Sequence, residues 1–534
     1  MRYSLLGILG FAVMLVACTH TVSAPKDDES SEISSSSKKV SSSESKESEK
    51  GSSSSSGKQA KSSSSDKTET KKSSSSASDN GDCVGESGEP WDGTTAKDFA
   101  CGAGTKLSPY IILTAEQLAH LSFVVNSSDK AYQGKYFKLG ADIKLNKGDV
   151  IDDKGALVGD STKLHKWTPI GNSSVVFDGN FDGDGHSVSG MFINTTSTHN
   201  GLFGNSSGTV QNLLVENSWV QGGKYTAGLL GLLKGSGIVK NVINKASVMG
   251  NSDAVAGVVA ATDYVYSKRG KIEEVENDAP IQGKKLVAGI IASSDNGLDI
   301  INVTNKGYIE GIYGVGGIAG HLGSSSNLKY AYNYGRIKGE EYTAGVASFF
   351  GNSYCPASTN YGSMQNVLNR GVIVGTNYTA GVVGQALCVT IKESANADSI
   401  NGNKYSAGVV GHAKRSKVES IYNKGAVFGS TNVGGIIGYN EDGVTSSAYS
   451  TGKVDGDSLV GLMIGYNYNT TMADYYYLEQ GEQEPFGLNN GGGVTTPKTA
   501  DEMKSDDFAE LLGDEFSYDS DLNDGYPVLK WEME

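Results

Sequence analysis

Ala227-Gly228-Leu229-Leu230-Gly231, Ala380-Gly381-Val382-Val383-Gly384 and Ala407-Gly408-Val409-Val410-Gly411 are three copies of one phrase, and the phrase recurs down most of the chain. Its first glycine falls at Gly201, Gly228, Gly257, Gly289, Gly317, Gly345, Gly381, Gly408 and Gly435, with gaps of 27, 29, 32, 28, 28, 36, 27 and 27 residues. A tenth copy, Val460–Gly465, has Leu462 at that place. A period in this range marks stacked repeats, each a unit that cannot bury a core alone.

Two more columns keep step with the phrase. One is a turn asparagine: Asn217, Asn244, Asn277, Asn305, Asn333, Asn369, Asn396 and Asn423, closed by Ser450. The other is a glycine six residues later, from Gly250 to Gly456. The intervening runs are short and rich in Val, Ile and Tyr, which makes them strands. Strand alternation gives each position a face. Four residues after the asparagine stand Val248, Ile281, Ile309, Ile337, Ile373, Ile400, Val427 and Val454, an aliphatic column expected to point inward. One residue further the column is mixed, from Met249 and Gln282 to Phe428 and Asp455, and is expected to face solvent. The pattern predicts an all-β chain folded as a parallel β-solenoid (β-helix). It should have about ten coils of 26–36 residues with capping elements at both ends. About three strands per coil are expected, with coils roughly 4.8 Å apart. Glycine is expected at corners that need positive φ, and stacked asparagines are expected to hydrogen-bond along the rod.

Around this block, residues 1–18 read as an export signal: Arg2, then an apolar stretch from Leu5 to Val16 that is too short for a comfortable span. Leu15-Val16-Ala17-Cys18 resembles a bacterial lipobox, which implies lipidation at Cys18 and a membrane anchor. Thr19 in place of Asp implies, by the same analogy, sorting to the outer membrane. Residues 19–82 are Ser runs broken by Lys, Glu and Asp, with no aromatic residue, and read as a disordered linker. Residues 83–200 read as an N-terminal cap and first coils, with a capping box at Thr114–Gln117 opening a helix. The repeats occupy 201–476. Residues 477–534 read as a C-terminal cap, with a second capping box at Thr499–Glu502 and closing aromatics expected to cover the open end of the core.

The repeat phrases, the upstream Trp167-Thr168-Pro169-Ile170-Gly171, the block Phe177–His186 and the closing Gly525-Tyr526-Pro527-Val528-Leu529 together resemble the GLUG-repeat surface proteins of bacteria. The resemblance covers roughly residues 90–534. It implies a β-helical, adhesin-like protein of the cell surface and supplies no catalytic residues.

The chemistry of the chain is sparse. A net charge of −15 argues against nucleic acid as partner. With Cys18 assigned to lipid, four cysteines remain, and an oxidising compartment favours the disulfides Cys355–Cys388 and Cys83–Cys101 over a metal site. Asp178–Gly183 partly matches a calcium loop, but Ser189 stands where its bidentate Glu belongs, so the segment reads as a plain turn. No metal and no cofactor are expected. The outward columns show no stacked acid pair, and the seven histidines are scattered.

Tyrosine is the one skewed residue, with 27 Tyr against 14 Phe. Tyr342, Tyr378 and Tyr405 share parity with Val346, Val382 and Val409 and are expected to form a buried ladder. Tyr332, Tyr422 and Tyr449, one residue before the turn column, are expected to face outward. So are Tyr439 and Tyr466, in a mixed column with His321, Gln385 and His412. Exposed rings can stack on sugars, which makes Tyr422, Tyr439, Tyr449 and Tyr466 the candidate ligand-binding residues. The sequence thus reads as a non-enzymatic, lipid-anchored surface rod that binds a polysaccharide or another surface. The alternatives are a β-helical polysaccharide lyase or hydrolase, and a structural envelope spacer.

Overall fold

The computed structural model describes Cys83 and residues 88–263, 268–295, 297–352, 355 and 361–534. The export signal, Cys18 and the Ser-rich linker lie outside these residues. The described residues fold as a parallel β-solenoid. In its longest sheet fourteen strands follow one another from Tyr110–Ile112 to Thr495–Lys498, each hydrogen-bonded to the equivalent strand of the next coil. The pairing is in register throughout the repeats. Val248 lies beside Ile281, Ile281 beside Ile309, and Ile309 beside Ile337, all fully buried. The long copy keeps the same register, with Ala347 beside Val383 and Ala331 beside Val367.

A full coil contributes to four sheets, where three strands were expected. The coil from Asp253 shows why, with strands Asp253–Ala256, Val259–Thr262, Gly270–Asn277 and Ile281–Gln282. The chain turns a corner at Gly257, so the consecutive residues Val258 and Val259 both enter the core. The same holds for Leu229-Leu230, Ile290-Ile291, Val382-Val383, Val409-Val410 and Ile436-Ile437. A flat strand cannot bury two neighbours on one side. The apolar doublet of the phrase therefore marks a strand break.

The corner glycines are needed for space. Only Gly201, at the start of the column, has positive φ. A Cβ on Gly228, Gly257, Gly289, Gly317, Gly345 or Gly381 would collide with the side-chain oxygen of the asparagine in the same coil and with the carbonyl of the next anchor glycine. Those asparagines form a continuous, fully buried ladder. Asn244 Nδ2 donates to Asn277 Oδ1 (2.9 Å), Asn277 to Asn305 (2.9 Å), Asn305 to Asn333 (2.8 Å), Asn333 to Asn369 (2.8 Å), Asn369 to Asn396 (2.7 Å) and Asn396 to Asn423 (2.8 Å). The second amide proton goes to the carbonyl two residues on, as from Asn333 to Gly335 (2.9 Å). Asn217, expected at the head of this column, is not in it. Asn244 pairs with Val215, and Asn217 has left-handed φ (44°) and braces the loop at Gly148–Val150.

At the N-terminal end, helix α1 (Ala115–Asn126) starts at the capping box of Thr114 and Gln117 and lays Leu118, Leu121 and Val124 on the core. The C-terminal segment does something other than plug the far end. Helices α2 (Ala500–Met503) and α3 (Asp506–Leu512) and the antiparallel pair Phe516–Ser517 with Val528–Leu529 pack on the outer face of the long sheet. There they build a second core with Leu368, Ala395, Tyr422, Tyr449 and Tyr476, reaching back until Trp531 meets Tyr332 at 5.9 Å.

If the glycine column exists to admit the asparagine ladder, Gly317→Ala should destabilise the rod by about 2–4 kcal/mol, as overpacking of a buried hydrogen-bonded site. Asn333→Ala should cost a similar amount. The double variant should lose less than the sum, because removing the amide relieves one of the two clashes while that with Gly345 O remains. Thermal and denaturant unfolding of the three variants provides the check.

Candidate functional site

A left-handed residue interrupts the strand in front of each corner. Ala254, Leu286, Gly314, Tyr342, Tyr378, Tyr405 and Asn432 all have φ between 52° and 69°. None of them takes part in the register that links its neighbours. The left-handed step breaks the alternation and turns these side chains out of the core. The expected buried ladder of Tyr342, Tyr378 and Tyr405 is thereby corrected: all three rings are half-buried on the outer surface. Beside them runs the outward column Ser293, His321, Phe349, Gln385, His412, Tyr439 and Tyr466.

The two columns merge into one aromatic strip. Tyr342 stacks on Tyr378 (centroids 4.4 Å apart, planes at 8°), and Tyr378 on Tyr405 (4.6 Å, 22°). Phe349 packs on Tyr342 at 4.2 Å, and Tyr313 reaches both rings at 5.3–5.5 Å. The stack continues from His412 to Tyr439 (4.9 Å, 8°) and from Tyr439 to Tyr466 (5.0 Å, 7°), with Tyr405 6.1 Å from Tyr439. Burial against neighbouring rings pushes the phenols of Tyr378 and Tyr439 up to about 12. The same desolvation holds His412 below the ordinary histidine value, against the pull of Glu441.

The charges on the strip contact the rod itself. Glu441 takes Lys414 at 2.8 Å and His412 at 3.3 Å; Lys404 lies over the Tyr405 ring at 4.9 Å; Glu341 accepts a hydrogen bond from Asn377. Among the described residues no group of three or more His, Cys, Asp or Glu side chains could hold a metal. The turn Phe177–His186 uses its acids internally. Asp178 accepts from Gly134 N, Asp182 from Gln211 and Asn212, and Asp184 pairs with Lys138 at 2.8 Å. A cleft of about 400 Å³ near α1 is lined by Val125, Tyr132, Phe177 and Lys234. Its carboxylates Asp129 and Asp178 accept backbone N–H groups of Ala131 and Gly134.

The four sequence-nominated tyrosines separate. Tyr439 and Tyr466 lie on the open strip. Tyr422 and Tyr449 are 2 % and 0 % exposed. Their column does point away from the solenoid core, as its parity requires, but the C-terminal segment covers it. Tyr422 Oη donates to the Glu532 carboxylate (2.9 Å), Tyr449 Oη donates to Pro527 O, and Asn523 Nδ2 donates to Tyr449 Oη (3.0 Å). These two rings brace the cap and offer no surface to a ligand. The cysteines are placed in pairs, Cys83 with Cys101 (Cα–Cα 6.7 Å) and Cys355 with Cys388 (5.6 Å). The strip residues that parity missed are Tyr313, Tyr342, Tyr378 and Tyr405; Phe349 lies in the column that parity placed outward.

No family model matches the chain. A "Putative Gly-rich membrane protein" of Evansella cellulosilytica is 36% identical over 149 residues, 27% of this chain and 15% of that protein. Halomucin of Haloquadratum walsbyi is 31% identical over 180 residues, 32% of this chain and 2% of that protein. The chain therefore spans only a small part of either relative. Among solved structures, a "putative immunoglobulin A1 protease" from Bacteroides ovatus aligns over 81% of this chain and 95% of its own, at 18% identity and a TM-score of 0.24. So loose a superposition transfers no activity. No helix among the described residues is long and apolar enough to cross a membrane.

The cap carries one group with an inverted pH response. Burial raises the Glu532 carboxyl above the usual carboxylate range, outweighing the hydrogen bonds from Leu529 N and Tyr422. A folded pKa above the unfolded one gives stability that is present in acid and lost as pH rises through the folded value. Glu532→Gln should therefore strengthen cap docking near neutral pH and flatten its pH dependence above about pH 4. Hydrogen exchange of the 526–532 backbone in both proteins reads this. The comparison cancels the Asp524–Lys424 pair (2.6 Å), whose lowered carboxylate contributes in the opposite sense.

Proposed function

We propose that the protein is a non-enzymatic rod of the cell surface that binds a glycan along the aromatic strip from Tyr313 to Tyr466. The observation that carries this is the replacement of side chains within one column. The left-handed column holds Tyr225, Ala254, Leu286 and Gly314 in the first coils, Tyr342, Tyr378 and Tyr405 in the middle and Asn432 and Leu459 at the end, and the neighbouring column changes from Ala261 and Ser293 to Tyr439 and Tyr466. The coil folds with either set, so its own packing does not require the rings. A long apolar strip rimmed by polar groups is the usual sign of a recognition surface. Repetition along the rod adds weak contacts into useful avidity.

Replacing Tyr378 and Tyr439 by Ser should lower retention on an insoluble polysaccharide by tenfold or more. Lost stacking should cost only about 1–3 kcal/mol of stability for the pair. Full retention would remove the strip from consideration. The polysaccharide should elute at its original length; shortening would favour the β-helical lyase or hydrolase reading instead.

The lipobox-like Leu15-Val16-Ala17-Cys18 supports anchoring at the outer membrane, with the Ser-rich segment as tether. The relative named a membrane protein agrees with a surface location. Cys18→Ala should move the protein from the membrane pellet to the soluble exported fraction. Unchanged partitioning would exclude the lipid anchor.

A further inference from the structure

We infer that, granted the glycan reading, the strip recognises an extended, uncharged glycan chain laid parallel to the rod axis and holds it through a row of phenol hydroxyls. Stacking of sugars on ring faces, the usual aromatic mode, is closed here by geometry. Tyr378 has Tyr342 on one face at 4.4 Å and Tyr405 on the other at 4.6 Å, and Tyr439 lies between His412 at 4.9 Å and Tyr466 at 5.0 Å. These are van der Waals spacings, and no sugar ring fits between such planes. What an outward tyrosine in a face-to-face stack offers to solvent is its edge and, farthest from the sheet, its hydroxyl.

From Tyr342 to Tyr466 each coil supplies one phenol, at roughly the 4.8 Å repeat of the sheet, with a single side step of 6.1 Å between Tyr405 and Tyr439 where the row passes from one column to the next. The row therefore matches a polymer that presents hydroxyl groups at short, constant intervals along a straight line. A coiled glycan leaves this register after a few sugars. A phenol both donates and accepts, as a sugar hydroxyl does. With Tyr378 and Tyr439 titrating only near 12, the protons stay in place at any ordinary pH. The choice of an uncharged polymer follows from the charges. Lys414 and His412 both bond to Glu441, and Lys404 and Glu341, which touch the neutral Tyr405 and Asn377, are single charges of opposite sign, so the strip carries no excess of either. The chain's net charge of −15 further disfavours a polyanion.

The test keeps the rings and removes the oxygens. Tyr342, Tyr378, Tyr405 and Tyr439 are all changed to Phe, and a second variant carries Ser at the same four positions. Retention is measured on cellulose and chitin as straight neutral chains, on cross-linked amylose as a coiled one and on polygalacturonate as an anionic one, with thermal melts as control. Wild type should bind cellulose or chitin and neither of the others. The Phe variant should lose at least tenfold in retention with its melt unchanged, and the Ser variant should lose as much. If the Phe variant binds as wild type while the Ser variant does not, hydroxyl recognition is wrong and the glycan reading stands. Equal binding by wild type and both variants overturns the glycan reading with it, as does wild type that binds none of the four. Comparable retention of wild type on polygalacturonate refutes the uncharged class, and on amylose the extended one.

Discussion

The rod depends on one buried interlock, the asparagine ladder running past a column of glycines. Each asparagine from Asn244 to Asn396 donates one amide proton to the next coil and one to the turn in its own coil. A buried amide left unpaired would cost about 1–3 kcal/mol, so the ladder fixes the register of every coil it links. It also sets the amino acid opposite. The anchor position abuts the amide oxygen so closely that no Cβ fits. The glycine repeat that announces the fold is thus the joint imprint of the ladder and of the next coil's carbonyl, which a Cβ would also strike. Ladder and repeat end together: at the last anchor position Leu462 replaces glycine, and Ser450 replaces asparagine just ahead of it.

Much of the architecture was legible for this reason. Parallel stacking, the inward column from Val248 to Val454 and both capping boxes follow from spacing and residue type alone. The number of sheets was missed, although its signal was printed in the phrase. Doublets such as Val382-Val383 cannot both enter a core from one straight strand, so a corner had to fall at the glycine before them. The position of Asn217 was missed for a different reason. The first full coil is irregular, and a loop at Gly148–Val150 uses that side chain; spacing carries no information about such a partner.

Side-chain direction on the outer surface was the least legible. The parity argument assumed unbroken strands, whereas residues with φ near 55° recur at fixed places in the coil: Tyr342, Tyr378 and Tyr405 before one corner, and Glu274, Asn302, Tyr330 and Asn366 within the long strand. Glycine, the residue expected at such torsions, occupies only Gly314 in the first of these sets. Bulky residues accept the left-handed conformation here because the flanking residues are held in the sheet ladder on both sides. The consequence is functional: the step that breaks alternation is what brings three phenols out of the core and into line.

Two tyrosine files with opposite fates follow from this surface. One, ending in Tyr422, Tyr449 and Tyr476, lies under the fold-back of the chain's own C-terminal segment, with Tyr422 and Tyr449 bonded to Glu532 and Pro527. The other, from Tyr313 to Tyr466, runs on a different face with no segment of the described chain laid over it. Exposed aromatic surface favours association, and the first file shows that this chain can supply a matching cover. In its second file the rings cover one another instead: Tyr378 and Tyr439 have both faces closed by neighbouring rings, which reduces the apolar area open to non-specific contact and leaves ring edges and hydroxyls outermost. That arrangement is compatible with solubility and selective for a ligand with its own repeating hydroxyl groups. The covered file lacks such an outer line, because the Tyr422 and Tyr449 hydroxyls are already bonded to the cap.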